Sequence, residues 1–346
     1  MKMQAHANCR WVAALSSIAL LLIISSDAFV QQQQQQQHQR RTQTSSLCMS
    51  STTHQIINQA TLAKKNKDNF IDRPTAQQMV TTILCPPNEE LSRNNAGMEA
   101  FGQDRHSKVI TNDDPRNEYT YGEFPFDSFD LLVDRAINFV DEMTTTTQQE
   151  ENNGGKQRRK MVDVGSGCGR LVLYAGLTRS DWDVAGIEIG HQLHSLAVNS
   201  LQRGINEDLL KPVVVVDDDK NASASAAESQ ISFYNGNVLA GKDPYFQNTQ
   251  TDNDTIQSIL SEANLLFAYS TVWETDSAQS FNPELGAMVL SSKWSQRLAS
   301  TCQNGVVAVT TDRCLNPDDG WKLLDRMDVE NPSVWGSVGY ISVLQK

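Results

Sequence analysis

A glycine-rich turn with a carboxylate beside it is the part of the chain best suited to chemistry. Residues 161–170 read MVDVGSGCGR, an apolar strand with Asp163 followed by Gly165, Gly167 and Gly169 before a helical run. A turn from a strand into a helix presents backbone N–H groups to a ligand. The dinucleotide fingerprint needs its third glycine one residue later, so this spacing disfavours a dinucleotide. Because Asp163 would repel a pyrophosphate, the turn favours a cationic ligand.

A second carboxylate follows where a ribose contact is expected. Residues 181–187 form another apolar run, which ends in Glu188 roughly 20 residues after the glycines, and a carboxylate there can accept both ribose hydroxyls. S-adenosylmethionine (SAM) combines a ribose with an ammonium and a sulfonium group. We therefore interpret Asp163, the glycines, Ser166 and Glu188 as a SAM site. Two alternatives are a Gly-rich turn of an ordinary α/β domain and a carboxylate that caps the next helix.

Strand and helix patterns alternate after residue 119. The predicted strands are 161–164, 184–188, 231–235, 264–268 and 305–311, and the predicted helices are 126–143, 169–178, 190–203, 254–262 and 284–300. Two strand-like runs, 321–328 and 334–344, follow. This alternation predicts an α/β fold: a Rossmann-like, mostly parallel sheet with helices on both faces. The last two runs would form an antiparallel C-terminal hairpin and complete the seven strands usual among SAM-dependent methyltransferases.

The N-terminal part of the chain has the composition of a targeting sequence. Lys2 and Arg10 precede an apolar run too short to cross a bilayer, and small residues follow it, which indicates a signal peptide over residues 1–28. Residues 29–67 are basic and rich in Gln, Ser and Thr, which predicts a disordered, transit-like segment. Residues 68–118 are predicted to be an irregular, partly helical extension, and residues 119–346 the SAM-binding domain.

The junction Ser26-Asp27-Ala28-Phe29 resembles the bipartite presequences of algae with secondary plastids. This resemblance implies delivery to a plastid through the secretory pathway, with no stable membrane anchor once the leader is cleaved. The alternatives are an uncleaved membrane anchor and secretion.

Charge and cysteine content exclude some functions. Of 29 basic and 41 acidic residues, seven bases and one acid lie in residues 1–67, so the remainder carries 22 bases and 40 acids, a net charge of −18. Because nucleic-acid affinity depends on basic residues that neutralise phosphates, we expect no nucleic-acid partner. The six cysteines show no C-x-x-C pair and no histidine at ligand spacing, so neither a disulfide framework nor a metal site is predicted.

A Tyr-Gly-Glu triplet precedes the first helix of the domain. Together with D-x-G-S-G-x-G at 163–169 and Gly-Ile-Glu at 186–188, this triplet resembles the histone-lysine methyltransferases that lack a SET domain, the disruptor-of-telomeric-silencing family. The resemblance covers residues 119–346. It implies that a loop folds over SAM, with Glu123 near the ammonium group. It also implies that residues 236–238 contact the adenine. The candidate residues that this resemblance implies are Tyr121, Gly122, Glu123 and Phe124 in the loop, and Asn237 and Val238 at the adenine.

The sequence departs from this family where the methyl acceptor would bind. The family carries Phe-Val-Asn-Asn-Phe, whereas this chain has Phe-Ala-Tyr-Ser-Thr at 267–271, with Trp273 close behind. We therefore expect Tyr269, Ser270 and Trp273 at the acceptor, with Trp335 as a further aromatic wall. The alternative is that these aromatic side chains only pack against the sheet. Aromatic faces tolerate a sulfonium charge, and an apolar channel favours a neutral amine. The basic nucleosome-binding extension of the family is also absent, so the resemblance does not carry over the histone substrate.

Three functions of different classes follow from these features. The first is a class I SAM-dependent methyltransferase that acts on a protein side chain, lysine included, or on a small molecule. The second is a catalytically silent SAM-fold subunit that binds a partner. The third is a nucleotide-dependent oxidoreductase, which the glycine spacing disfavours.

Overall fold

A computed structural model describes residues 59–62, 71–102, 122–147, 158–212, 230–239, 251–271, 273–276, 280–332 and 336–346. All of them lie in one compact unit, Ile57–Lys346. The predicted signal peptide and most of the predicted transit-like segment lie outside the described residues, as do Tyr121 and Trp335. No helix within the described ranges is both long and apolar enough to span a bilayer.

A twisted mixed sheet carries the functional residues. Its strands are β1 Gln59–Leu62, β2 Arg159–Val164, β3 Trp182–Glu188, β4 Leu210–Pro212, β5 Gln230–Asn235, β6 Leu265–Ala268, β9 Val307–Thr311, β10 Trp321–Val329 and β11 Ser337–Leu344; β7 Phe281–Asn282 and β8 Ala287–Met288 form a separate ribbon. Across the described sheet the order is β10-β11-β9-β6-β2-β3-β5-β1-β4. Strands β5, β3, β2, β6 and β9 run parallel, and β11 lies antiparallel to both β9 and β10. The predicted Rossmann-like sheet with its C-terminal hairpin is confirmed in the seven strands from β10 to β5, and β1 and β4 extend the sheet beyond β5.

Helices cover both faces of this sheet. They are α1 Arg73–Met79, α2 Glu90–Gly102, α3 Phe126–Thr147, α4 Arg170–Thr178, α5 His191–Asn206, α6 Asn253–Ser261 and α7 Ser292–Thr301; a π-helical turn, Val80–Leu84, continues α1. Along β2, Met161 faces the apolar core shared with α1, α3, α4 and α5, whereas Val162 faces the core shared with α6 and α7. Successive residues of a strand point to opposite faces, so a strand that is covered on both faces needs apolar side chains at consecutive positions. In β2 the residues on either side of Asp163 are accordingly apolar.

The compact domain extends further toward the N-terminus than the sequence predicted. Ala76 in α1, and Val80 and Leu84 in the π-helical turn, are fully buried in the same core as α3 and α4. In addition, β1 pairs antiparallel with β4 and β5, although it lies in the segment predicted to be disordered. The domain therefore begins well before residue 119. The polar composition hid this, because only one face of each of these short elements is apolar.

The predicted helix at 284–300 is partly wrong. The helix begins at Ser292, and the residues before it form the β7–β8 ribbon. Asn282 Oδ1 accepts hydrogen bonds from the backbone N–H groups of Glu284 and Leu285, and Gly286 has a φ of +60°. These contacts favour a turn over a helix. The start of α7 is fixed by Asp276, whose Oδ2 accepts a hydrogen bond from Ser292 N at 2.9 Å.

Candidate functional site

A cavity lies at the carboxyl ends of the parallel strands, where ligands bind in open α/β sheets. Its volume is about 1040 Å³, including the part open to solvent. Most of the predicted site residues line it: Gly122, Glu123, Phe124, Asp163, Gly165, Ser166, Gly167, Glu188, Asn237, Val238, Tyr269 and Trp273. The loop before α3, the glycine turn and the ends of β3, β5 and β6 therefore meet at one site.

The glycine turn has the conformation that its sequence requires. Gly165, Gly167 and Gly169 have φ angles of +78°, +57° and +79°, which residues with a Cβ rarely adopt. The N–H groups of Gly165 and Ser166 both donate to the carbonyl of Ile187, at 2.8 and 3.1 Å, and this ties the turn to β3. Gly169 does not line the cavity. It begins α4 behind the turn, where a Cβ would lie 2.5 Å from the Phe233 ring.

Glu188 is held by backbone N–H groups on both sides. Its Oε2 accepts from Gly167 N at 2.8 Å and its Oε1 from Gly190 N at 2.7 Å. Burial raises the pKa of Glu188, and these bonds, with one from Ile189, oppose the rise. Because a carboxylate oxygen can accept more than one hydrogen bond, both oxygens retain capacity for a pair of ligand hydroxyls.

Asn235 supports the same strand end, and sequence reasoning missed it. Its Nδ2 donates to the carbonyls of Glu188 and Ile189 at 2.9 and 3.1 Å, and the residue is 1% exposed. The available signal was its position, a polar residue at the end of an otherwise mostly apolar strand.

Asp163 is buried beside Glu188 with only 3% of its surface exposed. Burial, and secondly the negative charge of Glu188, raise the pKa of Asp163 to about 8. Two carboxylates in one buried cavity repel each other, and a cationic ligand would relieve that repulsion. Ser166 lies in the adjoining turn, and its buried Oγ has no hydrogen-bond partner within the described structure. A buried hydroxyl without a partner is costly, so it fits a position that a ligand completes.

Two arginines hold the loop before α3. Glu123 Oε1 accepts a hydrogen bond from Arg93 Nε at 2.9 Å, and its Oε2 lies 3.4 Å from Arg170 Nη1. The guanidinium of Arg170 lies over the Phe126 ring, 4.2 Å from its centre. Sequence reasoning missed Arg93, which lies on a polar helix 30 residues upstream of Glu123.

The acceptor side of the cavity, which we define by Tyr269 and Trp273, is aromatic. The ring of Tyr269 lies 5.1 Å from that of Phe124, and its hydroxyl oxygen accepts a hydrogen bond from Asn331 Nδ2 at 3.0 Å. Trp273 stacks on Trp294 with ring centres 3.9 Å apart and 20° between their planes. Trp294, which sequence reasoning missed, also lines the cavity.

The prediction that Ser270 acts at the acceptor is wrong. Ser270 is fully buried, its Oγ donates to the carbonyl of Thr311 at 2.9 Å, and its N–H donates to Thr311 Oγ1 at 3.0 Å. It therefore fastens the end of β6 to β9 and does not line the cavity.

Asn237 does line the cavity, but its Oδ1 already accepts a hydrogen bond from Leu239 N at 2.9 Å, which leaves that oxygen one lone pair for a ligand.

Among the described residues, two thiols lie at or beside the cavity, those of Cys168 and Cys85. No group of His, Cys, Asp and Glu side chains in the described part of the chain could hold a metal ion. Cys168 lines the cavity and is a buried cysteine outside any disulfide. A hydrogen bond with Cys168, together with burial, raises the pKa of Cys85. Such thiols are poor nucleophiles.

No protein-family model and no curated protein matches the sequence. Among solved structures, an RNA methyltransferase from Salinibacter ruber in complex with S-adenosyl-L-homocysteine is 18% identical, over 65% of this chain and 95% of that one, with a TM-score of 0.32. A putative class I S-adenosylmethionine-dependent methyltransferase from Listeria monocytogenes is 10% identical, over 76% of this chain and 70% of that one, with a TM-score of 0.36. Similarities at these levels concern the fold alone. The ligand and the substrate have to be argued from the cavity.

Proposed function

We propose that this protein is a class I SAM-dependent methyltransferase. The observation that carries the proposal is the burial of Asp163 and Glu188 around one glycine turn. Among the described residues that line this cavity, Arg170 is the one cation. A dinucleotide would bring a pyrophosphate next to these acids, whereas SAM brings an ammonium and a sulfonium. The same acids are well placed for a ligand that also carries a ribose.

Each part of SAM has a matching group in the cavity. Glu188 accepts the ribose hydroxyls through the free capacity of its two oxygens. Asp163 and the unpartnered Ser166 hydroxyl lie at the turn, where the charged amino-acid end is expected. Asn237 and Val238 follow β5 and would lie against the adenine. Glu123 belongs to the loop that covers the cavity.

Bound SAM supplies a methyl group activated by the sulfonium, and the transfer is an in-line displacement. The protein therefore has to orient the acceptor and exclude water; a covalent intermediate is not required. The stacked Trp273 and Trp294 and the contact between Phe124 and Tyr269 keep the acceptor side dry. Because the hydroxyl oxygen of Tyr269 accepts a hydrogen bond from Asn331, its own O–H proton remains available to donate to an acceptor molecule and so to orient it.

The acceptor is a protein side chain or a small molecule. A lysine is supported by the aromatic, apolar channel, which lowers the pKa of an amine and so favours its neutral, nucleophilic form. The acidic body of the chain argues against a nucleic acid. The leader supports an organellar location, a plastid reached through the secretory pathway.

Calorimetry with SAM and with NAD tests the cofactor. We expect SAM to bind, NAD not to bind, and Glu188→Ala to abolish SAM binding, whereas Glu207→Ala, which removes an exposed acid, leaves it unchanged. Unchanged affinity in Glu188→Ala would refute the proposed site.

Labelling an extract with tritiated SAM tests the reaction. Label that is sensitive to protease, or that is found in small molecules, supports the proposed acceptors, and label sensitive to nuclease contradicts them. SAM binding without any labelled product would favour a silent SAM-fold subunit over an enzyme.

A further inference from the structure

We propose that Arg93 is a positioning residue of the cofactor site. It fixes Glu123 over the cavity, so the N-terminal helical segment (residues 71–102) completes the end of the site that receives the amino-acid part of SAM. This inference rests on the proposed function and adds to it a residue and a segment that lie outside the predicted domain.

Guanidinium groups fasten the N-terminal helical segment to the domain: Arg73 pairs with Asp130 and Asp134 of α3, and Arg203 and Arg93 act further along the segment. The π-helical turn leaves carbonyl oxygens without helical partners where it ends. Arg203 of α5 takes two of them, donating from Nη1 to Ile83 O at 3.0 Å and to Leu84 O at 2.8 Å, and its Nη2 pairs with Glu89 at 2.6 Å. Arg93 Nη1 donates to the two carbonyl oxygens that follow the turn, Cys85 O at 3.4 Å and Pro86 O at 3.0 Å.

Arg93 and Arg203 differ in what else they contact. The side chain of Arg93 is 7% exposed, and its Nε bonds Glu123 Oε1 at 2.9 Å. Arg203, by contrast, donates to Ile83, Leu84 and Glu89, which all belong to the N-terminal helical segment. Glu123 is 33% exposed and lines the cavity, with Arg170 on its other side. A charge-assisted bond to a buried guanidinium restricts the rotamers of a partly exposed glutamate.

The position of Glu123 identifies the end of the cofactor concerned. Its loop lies against Tyr269, since a Cβ on Gly122 would be 2.9 Å from that ring, and Tyr269 follows β6. Asn237 follows β5, three strands away across the order β6-β2-β3-β5. Three strand spacings are about 14 Å, enough for an extended nucleoside with an amino-acid tail. With the adenine at β5 and the ribose at Glu188, the amino-acid end falls beside Glu123.

Two ligands separate positioning from general support of the fold. SAM contains the amino-acid end, whereas 5′-methylthioadenosine keeps the adenine and the ribose but lacks it. By calorimetry we expect Arg93→Gln to weaken SAM binding about tenfold and to leave 5′-methylthioadenosine binding unchanged. Arg203→Gln is the matched control. It loosens the same segment without touching Glu123, so its effect on the two ligands should be equal.

A double variant tests whether Arg93 acts through Glu123. Glu123→Gln should weaken SAM binding, and Arg93→Gln combined with Glu123→Gln should be no weaker than Glu123→Gln alone. Arg93→Lys, which keeps the charge, should recover part of the affinity and serves in the same comparison if Arg93→Gln does not fold.

The outcomes distinguish this inference from the proposed function. Equal losses for SAM and 5′-methylthioadenosine in Arg93→Gln, additive losses in the double variant, or wild-type affinity in Arg93→Gln overturn the inference and leave the methyltransferase proposal standing. A wild-type protein that binds neither ligand overturns both.

Discussion

Replacing Asp163 by asparagine should stabilise the ligand-free protein while it destroys the cofactor site. The substitution keeps the size of the side chain and removes its acid. Asp163 is 3% exposed, and burial, followed by the charge of Glu188, raises its pKa to about 8. The wild-type protein therefore folds with a carboxyl group whose ionised form the cavity disfavours.

The size of the effect follows from the two pKa values. In the unfolded chain Asp163 has its ordinary pKa of 3.8. Between that value and about 8, the folded protein binds a proton that the unfolded chain has lost, so the free energy of unfolding falls as pH rises through this window. Since pH 7 lies about 3 pH units above the pKa of the unfolded chain, the free energy of unfolding at pH 7 is lowered by about 4 kcal/mol. Asparagine does not titrate and escapes this penalty.

Urea unfolding without ligand, at several pH values from about 4 to 8, measures the difference. We expect Asp163→Asn to be more stable than the wild type by up to about 4 kcal/mol at pH 7 and equal to it near pH 4. Calorimetry at pH 7 should show that SAM no longer binds the variant. In the wild type, SAM binding should release a proton near pH 7, because the cation recruits the ionised form of Asp163.

Glu188→Gln provides the control, since it removes a neighbouring acid from the same cavity. Both oxygens of Glu188 accept backbone hydrogen bonds, from Gly167 and Gly190, and a glutamine offers only one oxygen. One buried N–H would lose its partner, so this variant should gain no stability. The reasoning about Asp163 fails if Asp163→Asn is no more stable than the wild type at pH 7, or if its gain does not depend on pH.

Three further results are expected. Gly169→Ala should lower the free energy of unfolding by about 2 kcal/mol or more, because its Cβ would lie 2.5 Å from the Phe233 ring at a φ of +79°, whereas Gly305→Ala, with a φ of +85° and open space, should cost about 1 kcal/mol in urea denaturation. Tyr269→Phe should slow methyl transfer about tenfold at unchanged SAM affinity, and parallel losses of both would contradict its assignment to the acceptor. A fluorescent fusion of residues 1–70 should enter a plastid, and cytosolic fluorescence would exclude the targeting hypothesis.

Short-range patterns were sufficient for the centre of the fold and for the strand-end acids that line the cavity. Strand β2, its glycine turn and α4 are adjacent in sequence, so the apolar run, the positive φ angles and the helix start can be read from neighbouring residues. Asp163 and Glu188 were predictable for the same reason. Each lies at the end of a parallel strand, and the ends of parallel strands meet at one edge of a sheet. The C-terminal hairpin also followed from two adjacent strand-like runs.

Residues whose role depends on a distant partner were not predictable. Ser270 and Tyr269 are neighbours, yet Tyr269 lines the cavity and Ser270 bonds Thr311, a residue 41 positions away. Nothing near Arg93 in the sequence shows that its guanidinium reaches Glu123, or that Asn331 reaches Tyr269.

The amino-acid sequence by itself determined which candidate site residues follow one another along the chain. They are a glycine turn, one acid beside it, a second acid one strand later, and an aromatic run after β6. The tertiary structure alone decided which polar groups hold those residues in place and which neighbours face away from the cavity. The physical reason is range. Backbone conformation and side-chain periodicity are set by residues within a few positions, whereas ion pairs and hydrogen bonds such as Arg93–Glu123 form only after packing has brought separate elements together.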